Sequence, residues 1–216
     1  MDLTHINEAR ELKIYPQLFG KQKRPIFDML PEVFAAYGDH EIDPRWLSHG
    51  VMEFEPNDDR PTWLYVTTGY SNPWGQSSDD WDPDGESGAG VEFILETNEQ
   101  TNWPVTRLQS LLAFDMLAAA GMLGEDSEPL AFHDIMPLNY PVDGSEDGQI
   151  KTMVLVAPEV AEGFQLPSGN VALAQFVGLT DAERDFAAEF GLEHLTDKLR
   201  GAGHWPRTVP DRESVV

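Results

Sequence analysis

A β-strand followed by an α-helix is predicted by the stretch Ser87-Gly-Ala-Gly-Val-Glu-Phe-Ile-Leu-Glu-Thr97 and, shortly after it, Trp103-Pro-Val-Thr-Arg-Leu-Gln-Ser-Leu-Leu112. In the strand, apolar residues alternate with Glu92 and Glu96, which fits a sheet with one packed face. The Trp-Pro pair opens the helix, because the amide that proline lacks would be unpaired in the first turn anyway. The helix is apolar around most of its circumference, so other elements must largely cover it.

Further elements are predicted on both sides of this unit. Alternating or continuous apolar residues predict strands at residues 50–56, 62–68, 132–138, 151–157 and 170–177. A helix around Pro31 is expected to be broken there or to begin there, and Gly38 ends it. Thr180-Asp-Ala-Glu183 has the spacing of a capping box, in which the hydroxyl and the carboxylate each bind a backbone amide, so another helix begins there.

The length of the chain favours one domain. At 216 residues it is long for one domain and short for two. We therefore expect one hydrophobic core with surface elaborations, formed by residues 1–200. Residues 201–216 contain Pro and Arg without periodicity, so we expect a C-terminal tail that frays unless Trp205 docks.

The chain is strongly acidic, with 38 Asp and Glu residues against 14 Lys and Arg residues and a formal net charge of -24. Between Arg60 and Lys151, Arg107 is the only Lys or Arg, against 16 carboxylates. Such a span cannot form an ordinary nucleic-acid interface, because Lys and Arg must neutralise the phosphates. It attracts basic partners instead. The equally weighted alternative is a solvated acidic surface that keeps the protein soluble, for example in a salt-rich cell.

The sequence contains no signal for membrane insertion or secretion. It has no run of about 18 apolar residues, and no basic segment followed by an apolar one near the N-terminus. It has no cysteine, so disulfides and thiolate chemistry are excluded while the redox compartment stays open. We therefore expect a cytoplasmic protein that does not contact a membrane.

Residues 69–90 are the first place where function is expected. This stretch is rich in Gly, Ser, Asp, Pro and Trp, and it is long enough that a purely passive loop would be unusual. Trp74 and Trp81 are candidate interface anchors, since aromatic side chains contribute much of the binding energy at protein interfaces. The equally weighted alternative is that they attach the loop to the sheet.

The same loop contains a partial calcium motif. Asp80-Trp-Asp82-Pro-Asp84-Gly85 places carboxylates at alternate positions before a glycine, as in the first half of an EF-hand loop. The twelfth position, where a bidentate glutamate belongs, is Val91. A solvated turn or a docking surface for a basic partner fits better, and we predict no metal site.

The sequence contains no motif of a known enzyme class. No Gly-x-Ser-x-Gly turn, phosphate-binding loop or dinucleotide fingerprint occurs. The six histidines follow no metal-ligand spacing, so surface or structural positions are expected. Paired carboxylates of a hydrolase stay an open alternative, because their geometry is not visible in a sequence.

Four segments resemble one known family in order and spacing. They are Trp63-Leu-Tyr-Val-Thr-Thr-Gly69, Asp84-Gly-Glu-Ser-Gly-Ala-Gly-Val-Glu-Phe-Ile-Leu95, Trp103-Pro-Val-Thr-Arg-Leu-Gln109 and Leu166-Pro-Ser-Gly-Asn-Val-Ala-Leu-Ala-Gln-Phe-Val-Gly178. Together they are similar to the Suppressor-of-fused domain over residues 61–199.

The resemblance implies an α+β fold, with a central mixed, mostly antiparallel β-sheet flanked by helices. It implies no catalytic residue and no cofactor. The animal member of the family is an adaptor that sequesters a transcription factor by gripping a peptide between two domains, and this chain has room for only the first of them. The compact bacterial members imply an immunity protein that neutralises a toxin delivered between competing cells.

We therefore predict a non-catalytic protein-binding module without cofactor, whose partner is a protein such as a basic toxin. The predicted partner-binding residues are the charges and anchors of the loop: Trp74, Asp79, Asp80, Trp81, Asp82, Asp84 and Glu86. An acidic inhibitor suits a basic nuclease toxin, because it mimics the charge of the nucleic-acid substrate. The alternatives are a hydrolase with paired carboxylates and a stand-alone domain whose acidity is a salt adaptation.

Overall fold

The computed structural model describes residues 3–138 and 140–216. In this part of the chain, eight strands form one mixed sheet. Their bounds are β1 Phe27–Asp28, β2 Gly50–Phe54, β3 Trp63–Thr68, β4 Glu86–Thr97, β5 Ile135–Pro137, β6 Ile150–Val156, β7 Gly163–Leu166 and β8 Gly169–Thr180. The order across the sheet is β1-β2-β3-β4-β8-β6-β5, and β7 pairs with β8 beside this path. The central pair β4–β8 is parallel, whereas the other strand pairs are antiparallel.

Helices cover both faces of this sheet. Their bounds are α1 Leu3–Ala9, α2 Tyr15–Phe19, α3 Pro31–Ala35, α4 Trp103–Ala119, α5 Asp181–Phe190 and α6 Leu192–Gly201. A π-helical turn, Arg10–Ile14, joins α1 to α2, and a short 3₁₀ helix, Pro44–Ser48, precedes β2. Helices α3 and α4 pack on one face, while α2 and the pair α5–α6 pack on the opposite face. The predicted α+β fold with a mixed, mostly antiparallel sheet is confirmed.

Strand β4 corrects the prediction of a sheet with one packed face. Phe93 and Leu95 pack towards α4, while Ile94 packs on the other side in the apolar cluster that contains Tyr15 and Phe19 of α2. The two glutamates of the strand are also buried, with exposures of 0% for Glu92 and 4% for Glu96. A central strand with a parallel neighbour is covered on both faces, so its glutamates must find hydrogen-bond donors inside the protein.

Helix α4 begins where the Trp-Pro pair predicts it, and most of its residues are buried. Its two charged residues are buried as well. The Arg107 guanidinium donates hydrogen bonds to Tyr140 Oη (3.0 Å) and to the Val142 carbonyl oxygen (2.8 Å). Asp115 accepts hydrogen bonds from Tyr70 Oη (2.6 Å) and from the Leu130 amide (2.5 Å). The two charged side chains of this helix are thus compatible with the core because both form hydrogen bonds there, although Arg107 Nε has no acceptor among the described residues.

The C-terminal tail is packed on the domain. The predicted capping box is present, and Glu183 bonds the Thr180 amide at 2.9 Å. Both carboxylate oxygens of Glu183 also accept hydrogen bonds from the Arg212 guanidinium, at 2.5 and 2.6 Å. Thr208 is fully buried, and its amide donates to the Glu96 carbonyl oxygen at 2.8 Å. The tail is therefore attached by several buried bonds besides Trp205, the one residue that the sequence indicated.

Candidate partner-binding surface

The loop in which function was expected leaves the sheet after Thr68 and returns to it at Glu86. Residues 86–90 belong to β4, as the strand predicted from Ser87 implies and the loop boundary at Gly90 does not. The pairing of β4 with β8 shifts register between Glu86 and Val91. Gly88 lies in this stretch with a φ of 61°, and a Cβ there would come 2.5 Å from the Asn72 carbonyl oxygen. Glycine is required at this position, because the strand crosses closely over the beginning of the loop.

The beginning of the loop is held by a buried polar cluster, here called the loop base, which consists of Arg10, Thr67, Ser71, Asn72 and Glu92. Arg10 donates hydrogen bonds to Ser71 Oγ (3.1 Å) and Asn72 Oδ1 (2.7 Å). Glu92 accepts from the amide and hydroxyl of Ser71 (2.9 and 2.7 Å) and from Thr67 Oγ1 (2.6 Å). Arg10 Nη1 lies 3.9 Å from Glu92 Oε1, so the two charges also form an ion pair. Such a satisfied buried network makes the loop base rigid.

The five predicted carboxylates lie on the exposed part of the loop, here called the loop tip: Asp79, Asp80, Asp82, Asp84 and Glu86. Local bonds shape the turns, since Ser77 Oγ donates to Asp80 (2.7 Å) and the Asp84 amide donates to Asp82 (3.0 Å). Within the described part of the chain, none of the five forms an ion pair with a cationic side chain. The loop tip thus presents uncompensated negative charge to solvent.

The two tryptophans of the loop occupy different environments. Trp81 is half-buried and packs on a small apolar cluster formed by Ile6, Leu166 and Val171. It therefore attaches the loop tip to α1 and to strands β7 and β8. Trp74 is half-buried near the loop base, with its ring centroid 6.4 Å from that of His49 and 6.0 Å from the guanidinium carbon of Arg45. The five carboxylates are thus all exposed on one loop, whereas the two candidate anchors pack against different parts of the protein.

Trp74 borders a cleft of about 350 Å³ that has no counterpart in the sequence motifs; its other aromatic walls are Trp46, His49 and Tyr70. His49 is 1% exposed, and burial lowers the pKa of its imidazole, so the ring is mostly neutral at pH 7. Tyr70 bonds Asp115, and burial raises the pKa of both groups. These residues come from separate parts of the chain, so no local pattern could have indicated the cleft.

The loop base was also missed by reasoning from the sequence. Arg10 lies in a mixed polar segment and lacks a motif, and Glu92 was expected on the unpacked face of its strand. One feature of the sequence indicates that Arg10 is buried: it lies four residues after Ile6 and four residues before Ile14, on the same face of a helix. Such spacing places an arginine on a packed helix face.

Carboxylate clusters bear on two other hypotheses, a metal site and a hydrolase with paired carboxylates. Over residues 3–138 and 140–216, no group of three or more His, Asp or Glu residues is arranged to hold a metal ion. Three carboxylates, those of Asp59, Glu96 and Glu159, do line a common cavity of about 600 Å³. Glu159 is neutralised there by Arg200, at 2.7 Å. The hydrolase hypothesis stays a prediction.

The part of the chain that the structure describes contains no helix that is both long and apolar enough to cross a membrane.

Comparison with known proteins relates the chain to one family. The model of the family described as Suppressor of fused protein (SUFU) matches residues 45–213. A search of curated proteins gave no match.

Three solved structures are similar in fold. Drosophila Suppressor of Fused is 20% identical with a TM-score of 0.58, and the match covers 77% of this chain and 42% of that protein. A chain of the Sufu–Fu complex is 18% identical with a TM-score of 0.65, over 99% of this chain and 90% of that one. A SUFU homologue from Neisseria gonorrhoeae FA 1090 is 18% identical with a TM-score of 0.61, over 100% and 98%. The chain therefore spans less than half of the Drosophila protein.

Proposed function

The chain belongs to the Suppressor of fused family, and on this premise we propose that it is a non-catalytic protein-binding module whose loop tip binds a basic protein partner. The family match begins at residue 45, so it extends the resemblance beyond the four segments seen in the sequence. One similar structure is a complex of Sufu with Fu, which supports a protein partner for this chain too.

The proposal rests on the difference between the exposed, negatively charged loop tip and the buried, hydrogen-bonded loop base. Five carboxylates, which form no ion pair within residues 3–138 and 140–216, stand in solvent on a loop whose base is held by the buried Arg10–Glu92 pair. Uncompensated charge attracts an approaching cationic protein at long range. Because the loop base is rigid, the loop loses little conformational entropy when the partner binds. Trp74 adds a half-buried aromatic surface near the loop base, which suits a second anchor of the interface.

The class of partner follows from charge. A protein with a net charge of -24 repels nucleic acid and attracts cationic proteins. We propose that the partner is a basic toxin and that the chain acts as an immunity protein in the cytoplasm. The loop tip then occupies the surface with which the toxin would bind its own anionic substrate.

The test compares association rates of two charge variants. The chain captures its partner from the native cell, and the rate constant is then measured at several ionic strengths. Neutralising the loop tip with Asp79→Asn, Asp82→Asn and Asp84→Asn should slow association about tenfold at low salt and flatten the salt dependence.

A matched control has the same change in net charge at a different exposed turn. It carries Glu125→Gln, Asp126→Asn and Glu128→Gln. This variant should associate nearly as fast as the wild-type chain. Equal slowing of both variants would show that overall charge, and not the loop tip, governs binding. Unchanged association of the loop-tip variant would reject this surface as the binding site.

The immunity role is tested separately, by bacterial growth. Expression of the captured partner should arrest growth, and co-expression of the wild-type chain should restore it. A partner that does not harm the cell would reject the immunity role and leave the binding surface to be judged by the rates.

A further inference from the structure

The cleft of about 350 Å³ beside Trp74, here called the aromatic cleft, is built from parts of the chain that are far apart in sequence. Trp46 comes from the 3₁₀ helix before β2, and His49 directly follows that helix. Tyr70 and Trp74 come from the beginning of the loop after β3. The end of α4 forms a further wall. Aromatic side chains therefore meet the C-terminal end of a long helix in one cleft.

The rings of the cleft contact one another and are fixed in place. The centroid of the His49 ring lies 6.2 Å from that of Tyr70 and 6.4 Å from that of Trp74. Tyr70 is held in turn by the hydrogen bond from its hydroxyl to Asp115, at 2.6 Å. The electron-rich faces of Trp and Tyr rings attract cations. Because these rings are already ordered, they lose little conformational entropy when a ligand binds.

His49 supplies a hydrogen-bond acceptor at the wall of the cleft. Its Nδ1 lies 2.9 Å from the Trp46 carbonyl oxygen, and because a carbonyl can only accept, Nδ1 carries the proton. Burial lowers the pKa of the ring, so it is neutral at pH 7 and Nε2 keeps a lone pair. Among the described residues, Nε2 has no hydrogen-bond donor, and it is not fully covered. A ligand in the cleft can therefore supply the missing N–H donor.

Helix α4 adds negative partial charge to the cleft. Ala119 and Ala120 at its C-terminal end border the cleft, and the last turn of the helix contains no basic residue. The C-terminal end of a helix carries roughly half an elementary negative charge, which favours a nearby cation. The helix end and the ring faces thus select for the same sign of charge.

The arginines close to the cleft are already paired. The guanidinium carbon of Arg45 lies 6.0 Å from the Trp74 ring, at the outer limit of a cation–π contact. Both carboxylate oxygens of Asp43 accept from Arg45 Nε, at 3.0 and 2.9 Å, so the charge of this arginine is balanced. Arg10 of the loop base is balanced by its ion pair with Glu92. Neither arginine therefore brings an uncompensated positive charge to the cleft.

We propose that the aromatic cleft binds an arginine side chain of the basic protein partner, whose guanidinium contacts the Trp74 and Tyr70 rings and donates a hydrogen bond to His49 Nε2. This inference rests on the proposed function, because the partner supplies the arginine. A guanidinium is more weakly hydrated than an ammonium group and stacks on aromatic rings, and arginine is enriched at binding hot spots. An apolar side chain would leave the lone pair of His49 without a donor.

The first test uses small compounds, so it does not require the partner. N-acetylarginine amide, titrated into the wild-type chain up to about 50 mM, should bind saturably. N-acetylcitrulline amide has the same shape without the charge and should bind at least about tenfold more weakly. N-acetyllysine amide should also bind more weakly, since its ammonium group is more strongly hydrated. The proposal is wrong if the arginine compound does not bind, or if either of the others binds equally well.

The nitrogen NMR resonance of His49 Nε2 reports the hydrogen bond directly. It should move upfield when N-acetylarginine amide binds, because the lone pair then accepts an N–H. A resonance that stays in place while the compound saturates the chain would show that the guanidinium binds elsewhere.

Two tryptophan variants locate the binding of the compound. Trp74→Leu should weaken binding of N-acetylarginine amide about tenfold. Trp205→Leu is the matched control, because this half-buried tryptophan of the C-terminal tail does not line the cleft. Both variants keep the net charge of the chain, so a general attraction of cations to an acidic protein stays the same. Equal affinities of the two variants would contradict the assignment to this cleft.

The partner then tests whether the cleft belongs to the interface. Trp74→Leu should raise the dissociation constant of the captured partner about tenfold and leave the salt dependence of association unchanged, whereas the loop-tip variant flattens that dependence. A partner that binds Trp74→Leu as tightly as the wild-type chain would exclude the cleft from the interface, even where the loop tip is confirmed. A loop-tip variant that associates as fast as the wild-type chain would reject the loop tip alone, because the small compounds decide the chemistry of the cleft independently.

Discussion

The loop between β3 and β4 contains two sets of polar groups with opposite environments. At the loop base, Glu92 has no exposed surface, and three hydrogen bonds and the Arg10 guanidinium compensate its charge. At the loop tip, the carboxylates of Asp79, Asp82 and Asp84 stand in water and pair with no cationic side chain of the described residues. The same kind of side chain therefore stabilises the fold in one place and creates an attractive field in the other.

The difference is one of solvation. Removing one partner of a buried ion pair leaves the other charge uncompensated in a medium of low polarity, which is strongly destabilising. Removing a solvated charge leaves the folded state nearly unchanged, because water had compensated it in both states. Stability should thus respond to the loop base and to similar buried pairs, while association should respond to the loop tip.

The largest effect is expected at the loop base. Arg10→Ala should lower the free energy of unfolding by about 4 kcal/mol, because Glu92 then loses the cation with which it forms a buried ion pair. Urea unfolding measures this loss, and Lys13→Ala, at an exposed position of the same helical segment, is the control. A loss below about 1 kcal/mol would mean that the neutral donors of Thr67 and Ser71 are sufficient for Glu92.

A second buried pair tests whether the rule extends to the tail. Arg212→Ala should cost about 3 kcal/mol, since it removes two hydrogen bonds from Glu183 and one from the Gly178 carbonyl oxygen. The same urea experiment measures it. If the loss were negligible, the tail would contribute little to the stability of the domain.

The pH dependence of this variant has a defined sign. Burial acts to raise the pKa of Glu183, but the hydrogen bonds and charge of Arg212, together with the hydrogen bonds from the Thr180 and Val215 amides, outweigh it, and the net pKa lies below the ordinary value. The stabilisation by Glu183 is therefore complete above the unfolded pKa of about 4.3, and it is lost as the pH falls through the lowered folded value. In Arg212→Ala, the difference in stability from the wild-type chain should shrink over the same acidic range. A difference that is constant from pH 7 to strong acid would contradict this assignment.

An intermediate effect is expected where the loop tip touches the core. Trp81→Ala should cost about 2 kcal/mol, because the half-buried ring loses its contacts with Ile6, Leu166 and Val171. Trp74→Ala should cost less and weaken partner binding more, since its ring borders an open cleft. Thermal unfolding measures the loss of stability in each variant, and the association assay measures the loss of partner binding. The reverse ranking would make Trp81, and not Trp74, the interface anchor.

The smallest effect on stability is expected at the loop tip. The variant with Asp79→Asn, Asp82→Asn and Asp84→Asn should unfold within about 0.5 kcal/mol of the wild-type chain in moderate salt. A gain that disappears in molar salt would reveal repulsion among these charges. A clear loss would show that the carboxylates hold the turns together, and it would remove the distinction between base and tip.

Much of the fold could be predicted because it depends on local patterns. The strand β4, the apolar helix after the Trp-Pro pair and the capping box at Thr180 depend on residues that are near each other in sequence, and the structure confirms these three elements, although β4 is packed on both faces and not on one. The cluster of acidic residues in the loop was visible for the same reason. The cleft beside Trp74 was not, because Trp46, His49 and Tyr70 meet there only through the pairing of β2 with β3 and the approach of the segment before β2.

Local sequence patterns were thus sufficient for six of the eight described strands (all except β1 and β7), for the starts of α4 and α5, for the family resemblance and for the acidic character of the loop. The tertiary structure alone decided which charges are buried: Glu92 beside Arg10 of the π-helical turn, Glu183 beside Arg212 of the tail, and Glu96 together with Arg60 around one cavity. The physical reason is that hydration of a charge depends on everything within a few ångströms of it. Those neighbours come from parts of the chain that are far apart in sequence, so the pattern around one residue carries no record of them.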